Sequence, residues 1–347
     1  MKNNYKKIKY KKWHDKRSQK IGEKPKQNKP YDPNKLPIYQ NSKIEFIKAE
    51  SVIAPKNICL LSETHKSLAF YSELRKERNI SKMGRTCFVQ MDISKVEEFD
   101  YSSICVLIAI IRDLKSKGIS LRGNYPDNPE CKNRIIESGI LTFMYDNDGK
   151  PFKKSEKSDL LFIEKGSKML TREDNIRISK TVLKVAKHLT GNESHLPKLR
   201  TILLEICGNS IEWAETYNNQ WLFGVKYDDD KAIFTITDVG KGILKTLNKK
   251  FKHKLNDTFL MKQDDEILQG AFIKKYGSSS RKVNRNKGLP SIKNGSDIGI
   301  IQNLKVITNN VILHYDNEFK SELLDKHEFR GTLYRWEVTA NTILKAS

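Results

Sequence analysis

The chain has no Cys-x-x-Cys pair, no long apolar run and too few acidic residues to balance its basic ones. Its five cysteines (Cys59, Cys87, Cys105, Cys131 and Cys207) are scattered. That excludes a zinc ribbon or a disulfide framework, both of which need close, paired spacing. Such thiols are expected to be buried, in a reducing compartment. The longest apolar run, Ile104 to Ile111, has eight residues, against the roughly 20 that a membrane-spanning helix needs. The basic N-terminus is followed by no apolar segment, unlike a secretory signal. These features point to a cytoplasmic protein with no membrane partner.

What is abundant is positive charge. The 347 residues hold 64 Lys and Arg against 42 Asp and Glu, a net +22. Such a balance attracts polyanions or simply solubilises the chain, and it does not bear on fold. Residues 1–30 carry twelve of the basic residues against Asp15 and Glu23, which is +10 of the total. Tyr5, Tyr10 and Trp13 are interleaved with them, and Pro25, Pro30, Pro33 and Pro37 follow. A segment of this kind buries too little surface to offset its ordering entropy, so residues 1–42 are expected to form a basic, disordered arm. A cationic arm with aromatic residues suits phosphate contacts and base stacking, which makes nucleic acid a candidate partner. A solvated tail is the alternative. The rest of the chain is long enough for two domains.

Residues 43–148 read as a small α/β domain. Cys87 to Ile93 alternates as a strand. Ser102 and Ser103 can cap a helix that carries Ile104, Val106, Leu107, Ile110 and Ile111 and closes at Lys115–Gly118. Ile119 to Gly123 gives a second strand, and Pro129 to Ser138 a second helix. This stretch resembles the STAS domain of anti-anti-sigma factors and sulfate transporters. The likeness rests on Met91-Asp92-Ile93-Ser94, Phe99-Asp100-Tyr101-Ser102-Ser103, Lys117-Gly118-Ile119 and Ile136-Glu137-Ser138-Gly139-Ile140. It places Ser102 where signalling members are phosphorylated, although Ser103 replaces the glycine that follows there; a plain helix cap is the other role. Residues 149–171 read as a polar, lysine-rich linker.

Residues 172–347 open with an amphipathic helix, Arg172 to Leu189, and then present four short segments. In the first, Glu205 and Asn209 lie four apart on one face of a helix beginning near Leu196. A carboxylate there can orient a water, and an amide oxygen can ligate a hard cation. The second is a strand from Ala232 that delivers Asp238, followed by Gly240 and Gly242, whose backbone can turn closely past a ligand. The third runs from Gly277 through Asn286, Lys287, Gly288 and Leu289. Basic and glycine-containing, it suits phosphate, and it leads into a helical pattern through Ile298, Ile300, Ile301 and Leu304. The fourth is a strand opened by Gly331-Thr332. Between the last two, Val306–Thr308 and Val311–Tyr315 read as a hairpin turned at Asn309-Asn310.

Taken in order, these segments resemble the GHKL ATPases, the superfamily of gyrase B, sensor histidine kinases and MutL. The likeness implies a Bergerat-type two-layer α+β sandwich, with a mixed sheet and helices on one face. With the STAS-like region it makes the chain an α/β protein of two domains. It further implies ATP and Mg²⁺ as ligands. Asn209 would hold the metal, Asp238 the adenine, with Thr332 beside that contact. Gly240, Gly242 and Ile243 would shape the adenine pocket, Lys287, Gly288 and Leu289 would belong to the lid, and Glu205 would be the candidate general base. Two positions depart from the usual pattern. Asn286 stands where the lid normally has its first glycine, and Glu212-Trp213 replace the Lys-His of histidine kinases. His188 and His195 do not sit in a phosphoacceptor helix, which argues against a sensor kinase. The expected function is an ATP-binding regulatory protein in which slow Mg²⁺-dependent hydrolysis drives a lid-closing switch. The alternatives are a serine kinase of the anti-sigma type and a non-hydrolysing nucleotide-binding module. A protein partner is implied, the STAS-like region itself being one candidate and a homodimer another.

Overall fold

A computed structural model describes residues 46–153, 160–166, 170–216, 220–251, 262–273, 288–316, 318–324 and 326–346. The basic arm, Lys287 and the rest of the lid before Gly288 lie outside the described residues. The first half of the chain runs β1 (Phe46–Ile47), β2 (Val52–Ile53), β3 (Asn57–Ile58), α1 (Thr64–Leu74), β4 (Ile80–Met83), β5 (Thr86–Asp92), β6 (Glu98–Phe99), α2 (Tyr101–Ser116), β7 (Ile119–Gly123) and α3 (Pro129–Glu137). The second half runs β8 (Leu160–Gly166), α4 (Arg172–Thr190), α5 (Pro197–Trp213), β9 (Gln220–Tyr227), β10 (Lys231–Asp238), α6 (Ile243–Phe251), α7 (Asp264–Phe272), α8 (Gly288–Asp297), β11 (Gln302–Asn309), β12 (Val311–Asp316), β13 (Glu318–Leu323), β14 (Phe329–Thr339) and α9 (Ala340–Ala346).

In the first sheet β5 pairs in parallel with β2 and β7 and antiparallel with β4. Parallel neighbours need a crossover, and α2 supplies the one between β5 and β7. Helix α2 is capped by Asp100, whose carboxylate accepts the Ser103 amide at 2.6 Å. The cap is therefore Asp100 and not Ser102 or Ser103, because a carboxylate three residues ahead satisfies the orphan amide first. The Ser103 hydroxyl instead accepts the Leu60 amide at 2.9 Å, and Ser102 is 2% exposed.

Thirteen of the 16 residues of α2 are buried. A helix apolar on nearly all sides must be covered on more than one side, and α2 packs against β7 and also against β9 and β10 of a second sheet. That second sheet has the order β13-β12-β11-β14-β10-β9-β8. Its pairings are antiparallel throughout, which corrects the expectation of a mixed sheet. The cause lies in the connections. Hairpins join β9 to β10 and β11 to β12 to β13, while the crossover from β10 to β11 leaves room for β14 to return between them, antiparallel to both. Helices α4 and α5 pack on one face over Trp221, Phe223, Phe234 and Trp336. Three of these rings stack in a row, Phe223 on Phe234 at 6.0 Å and Phe234 on Trp336 at 5.3 Å.

The other face is not left to solvent, so helices on one face only is a second correction. Leu222, Ile307, Ile312 and Leu333 join the core of the first half of the chain, alongside Leu107, Ile108 and Ile111. The chain from Glu45 to Ser347 forms one compact unit with the layers sheet, helix, sheet, helix. Residues 149–171 are likewise more than a linker, since Leu160–Gly166 adds the edge strand β8 beside β9. The helical pattern expected through Leu304 stops at Asp297; Gly299, at φ +71°, turns the chain, and Leu304 already lies in β11. All five cysteines are free thiols, and only Cys87 is not fully buried. Among the described residues no helix is long and apolar enough to cross a membrane.

Gly224 of β9 lies directly beneath Tyr101, where a Cβ would overlap the phenol oxygen and sit 3.0 Å from the Cys105 sulfur. Gly224→Val is therefore expected to destabilise the protein by about 2 kcal/mol through overpacking, read as a lower urea midpoint.

Candidate functional site

Helix α5 starts with Pro197 at its first position, where the missing amide costs nothing. Leu199, Ile202, Leu203, Ile206 and Cys207 anchor it in the core. That fixes Glu205 and Asn209 one turn apart on a half-buried face, with Ser210 buried beside them. The first residue of α8, Gly288, abuts Asn209, and a Cβ at Gly288 would overlap the Asn209 amide. The Asn209 Nδ2 is buried and finds no hydrogen-bond partner among the described residues. A buried amide N–H left unsatisfied costs about 1–3 kcal/mol, so Nδ2 suits an acceptor oxygen from a ligand. The start of α8 adds the positive end of its dipole and the backbone amides of Gly288 and Leu289, which have no partner within the helix.

Asp238 ends β10 as the last rung of the ladder with β14, opposite Thr332. It is 3% exposed and accepts the Gly240 amide at 3.0 Å. Burial is the main influence and pushes its carboxyl up to about 7, against the opposing pull of the Gly240 and Thr332 amides, the Ser210 hydroxyl and the Arg75 charge. The turn that follows is packed from both sides. A Cβ on Gly240 would overlap the Ala214 carbonyl at the end of α5, and that same carbonyl accepts the Lys241 amide at 2.8 Å. Gly242, at φ +80°, has the Asn309 amide 2.5 Å from where a Cβ would be.

Thr308 and Asn309, at the end of β11, fasten the turn. The Thr308 hydroxyl accepts the Ile243 amide at 2.9 Å and donates to the Gly331 carbonyl at 3.0 Å. Asn309 accepts the Leu244 amide at 3.0 Å and donates to the Lys241 carbonyl at 2.8 Å. Asn309 adopts φ +52°, a left-handed conformation that Asn tolerates.

The structure thus gathers Asn209, Asp238, Gly240, Gly242, Gly288 and Thr332 around the C-terminal end of α5 and the last rung of β10 and β14. Ile243 opens α6 directly behind, and Leu289 packs against the core of α4 and α5. Glu205 lies one turn before Asn209; Ser102, buried on α2, is not part of the cluster. A groove of about 510 Å³ runs between the first turns of α5 and helix α8, past Thr201, Ile202, Asn294 and Gly295, and includes none of these residues. Sequence reasoning missed Ser210, Thr308, Asn309 and Arg75. Only Ser210, next to Asn209, carried a usable signal. No cluster of three or more His, Cys, Asp or Glu able to hold a metal occurs among the described residues. Neither a scan against protein-family models nor a search of curated proteins gives a match.

The raised carboxyl of Asp238 has a defined sign for stability. Its folded value lies above that of the unfolded chain, so its contribution is full below about pH 4 and is lost as pH rises through about 7. Asp238→Asn is expected to stabilise the unliganded protein by roughly 2 kcal/mol at pH 8 and by much less at pH 5. Urea unfolding at the two pH values measures the difference.

Proposed function

We propose that this chain binds ATP with Mg²⁺ and that the cluster around Asp238 and Asn209 is its nucleotide site. The observation that carries the reading is convergence. An unpartnered buried amide, a glycine-started helix and a buried carboxylate come from three distant parts of the sequence and meet at one end of α5. Ionised, Asp238 accepts the exocyclic amino group of adenine, with Gly240 and Gly242 letting the turn that follows it pack against Ala214 and Asn309. Thr332 supports the same end through its hydroxyl. Asn209 would offer its amide oxygen to the metal, and the Gly288 and Leu289 amides at the start of α8 would meet the phosphates. Magnesium, when bound, neutralises phosphate charge. This reading keeps the GHKL likeness for residues 172–347 and the STAS likeness for 43–148.

The reaction favoured is slow hydrolysis. Glu205 takes a proton from the attacking water, the oxygen bonds to the γ-phosphorus, and ADP leaves with the bridging oxygen. Phosphotransfer to Ser102 within the same chain is disfavoured by a specific observation, because that hydroxyl is buried in α2. The layer that carries α2 instead packs on the face of the sheet opposite α5. That placement favours a regulatory protein whose nucleotide site responds to what its own first half is doing.

Calorimetry with ATP and Mg²⁺ tests the reading. Saturable binding is expected to weaken as pH falls below about 7, since protonation removes the charge that makes Asp238 a strong acceptor for the base. Asp238→Asn is expected to lose it by about a hundredfold or more, because the Asn oxygen stays on Gly240 and turns its amino group toward adenine. Glu205→Ala should keep binding while phosphate release falls by about 100-fold or more. Unchanged ATP affinity in Asp238→Asn would remove the site from this location.

A further inference from the structure

The β10–β14 ladder ends at Asp238 and Thr332, and Val239 and Arg330 lie just beyond that pairing. Arg75, the residue that ends α1, reaches them from the other half of the chain. One arm of its guanidinium donates to the Arg330 carbonyl at 3.0 Å, and the other to the Val239 carbonyl at 2.7 Å. Asp113 of α2 braces the second arm at 3.4 Å and is itself held by Lys117 at 2.8 Å. The side chain of Arg75 is 18% exposed and that of Asp113 is 4%. A planar fork with fixed donors is suited to bridging two acceptors at a set separation.

The two carbonyls belong to the segments that carry the site. Val239 follows Asp238 directly, and Arg330 lies two residues before Thr332. Between them Gly331 sits at φ +146°, where a Cβ would overlap the Asp238 carbonyl, so the segments are in close contact, spanned from within by the Asp238 carboxylate drawing on the Thr332 amide and from outside by Arg75. We infer that Arg75 is a positioning residue, acting as one further rung of the ladder, through which the α1–α2 layer holds Asp238 against Thr332 and so sets nucleotide affinity. The inference rests on the ATP-binding reading for its second half and on geometry alone for its first. It also runs in reverse: a ligand that tightens the Asp238 turn must favour, by the same factor, the packing of α1 and α2 that places Arg75 there.

The test uses the full chain with Arg75→Met and Arg75→Lys, the second keeping the charge but losing the fork. Hydrogen exchange without nucleotide reads the turn, and calorimetry with ATP and Mg²⁺ reads the site. In Arg75→Met, exchange at residues 239–244 and 330–332 is expected to rise about tenfold while α4 is unchanged, and the ATP dissociation constant to rise by a similar factor. Arg75→Lys should fall between it and the parent in both. Unchanged exchange at the turn would overturn the inference, as would a rise spread over α4 and the whole sheet, which would make Arg75 a general stabiliser. Local loosening with unchanged ATP affinity would overturn the positioning role. A parent chain that binds no ATP would sink the nucleotide reading instead, and the exchange comparison would still decide whether Arg75 holds the turn.

Discussion

The arrangement depends on one buried carboxylate. Asp238 sits where a strand ends, a helix ends and a glycine turn begins, and it is nearly out of solvent. A carboxylate in such a place is costly unless it is protonated or given donors. The surrounding features read as a response to that cost: the Gly240 amide, the Ser210 hydroxyl, the Thr332 amide and the Arg75 charge all act to hold the ionised form. They fall short, since burial still dominates. Once ionised, so basic a carboxylate is a strong acceptor for an incoming donor, as the proposed base recognition requires.

Around that point the rest of the chain acts as a frame. One face of the seven-stranded sheet carries α4 and α5 and the stacked rings of Phe223, Phe234 and Trp336. The opposite face carries α2, thirteen of whose 16 residues are buried. Because one hydrophobic core spans the first sheet, α2 and the back of the second sheet, the two halves are not free to move as beads on a string. A change in how α1 and α2 pack is felt at Val239 and Arg330, on the rim of the site, without any need for a long relay.

Much of this was legible in the sequence because local chemistry and final position agree. Asp238 reads as the end of a strand and is one, and Glu205 and Asn209 share the helix face that their spacing dictates. The hairpin at Asn309-Asn310 also falls where the residues place it. What escaped did so for physical reasons. Arg75 looks like any basic residue at a helix end, and only the fold shows what it reaches. Asn309 reads as a turn residue, and its side chain clamps a loop 65 residues away in sequence. The short apolar run at Leu160 is surrounded by lysines and becomes a strand only because β9 offers an open edge. Asp100 outcompeted two serines for the α2 cap. The sense of the second sheet depends on where β14 inserts, a long-range choice that periodicity cannot express.

Base selectivity is the most direct measure of the central claim, that an ionised Asp238 reads a nucleotide base. Adenine presents an amino group where guanine presents a carbonyl oxygen, so a carboxylate accepts from one and opposes the other. Titrating the intact chain at pH 8 with ATP and with GTP, each with Mg²⁺, should give saturable one-to-one binding of ATP and at least a hundredfold weaker binding of GTP. Equal affinity for the two, or no binding of ATP, would contradict the account.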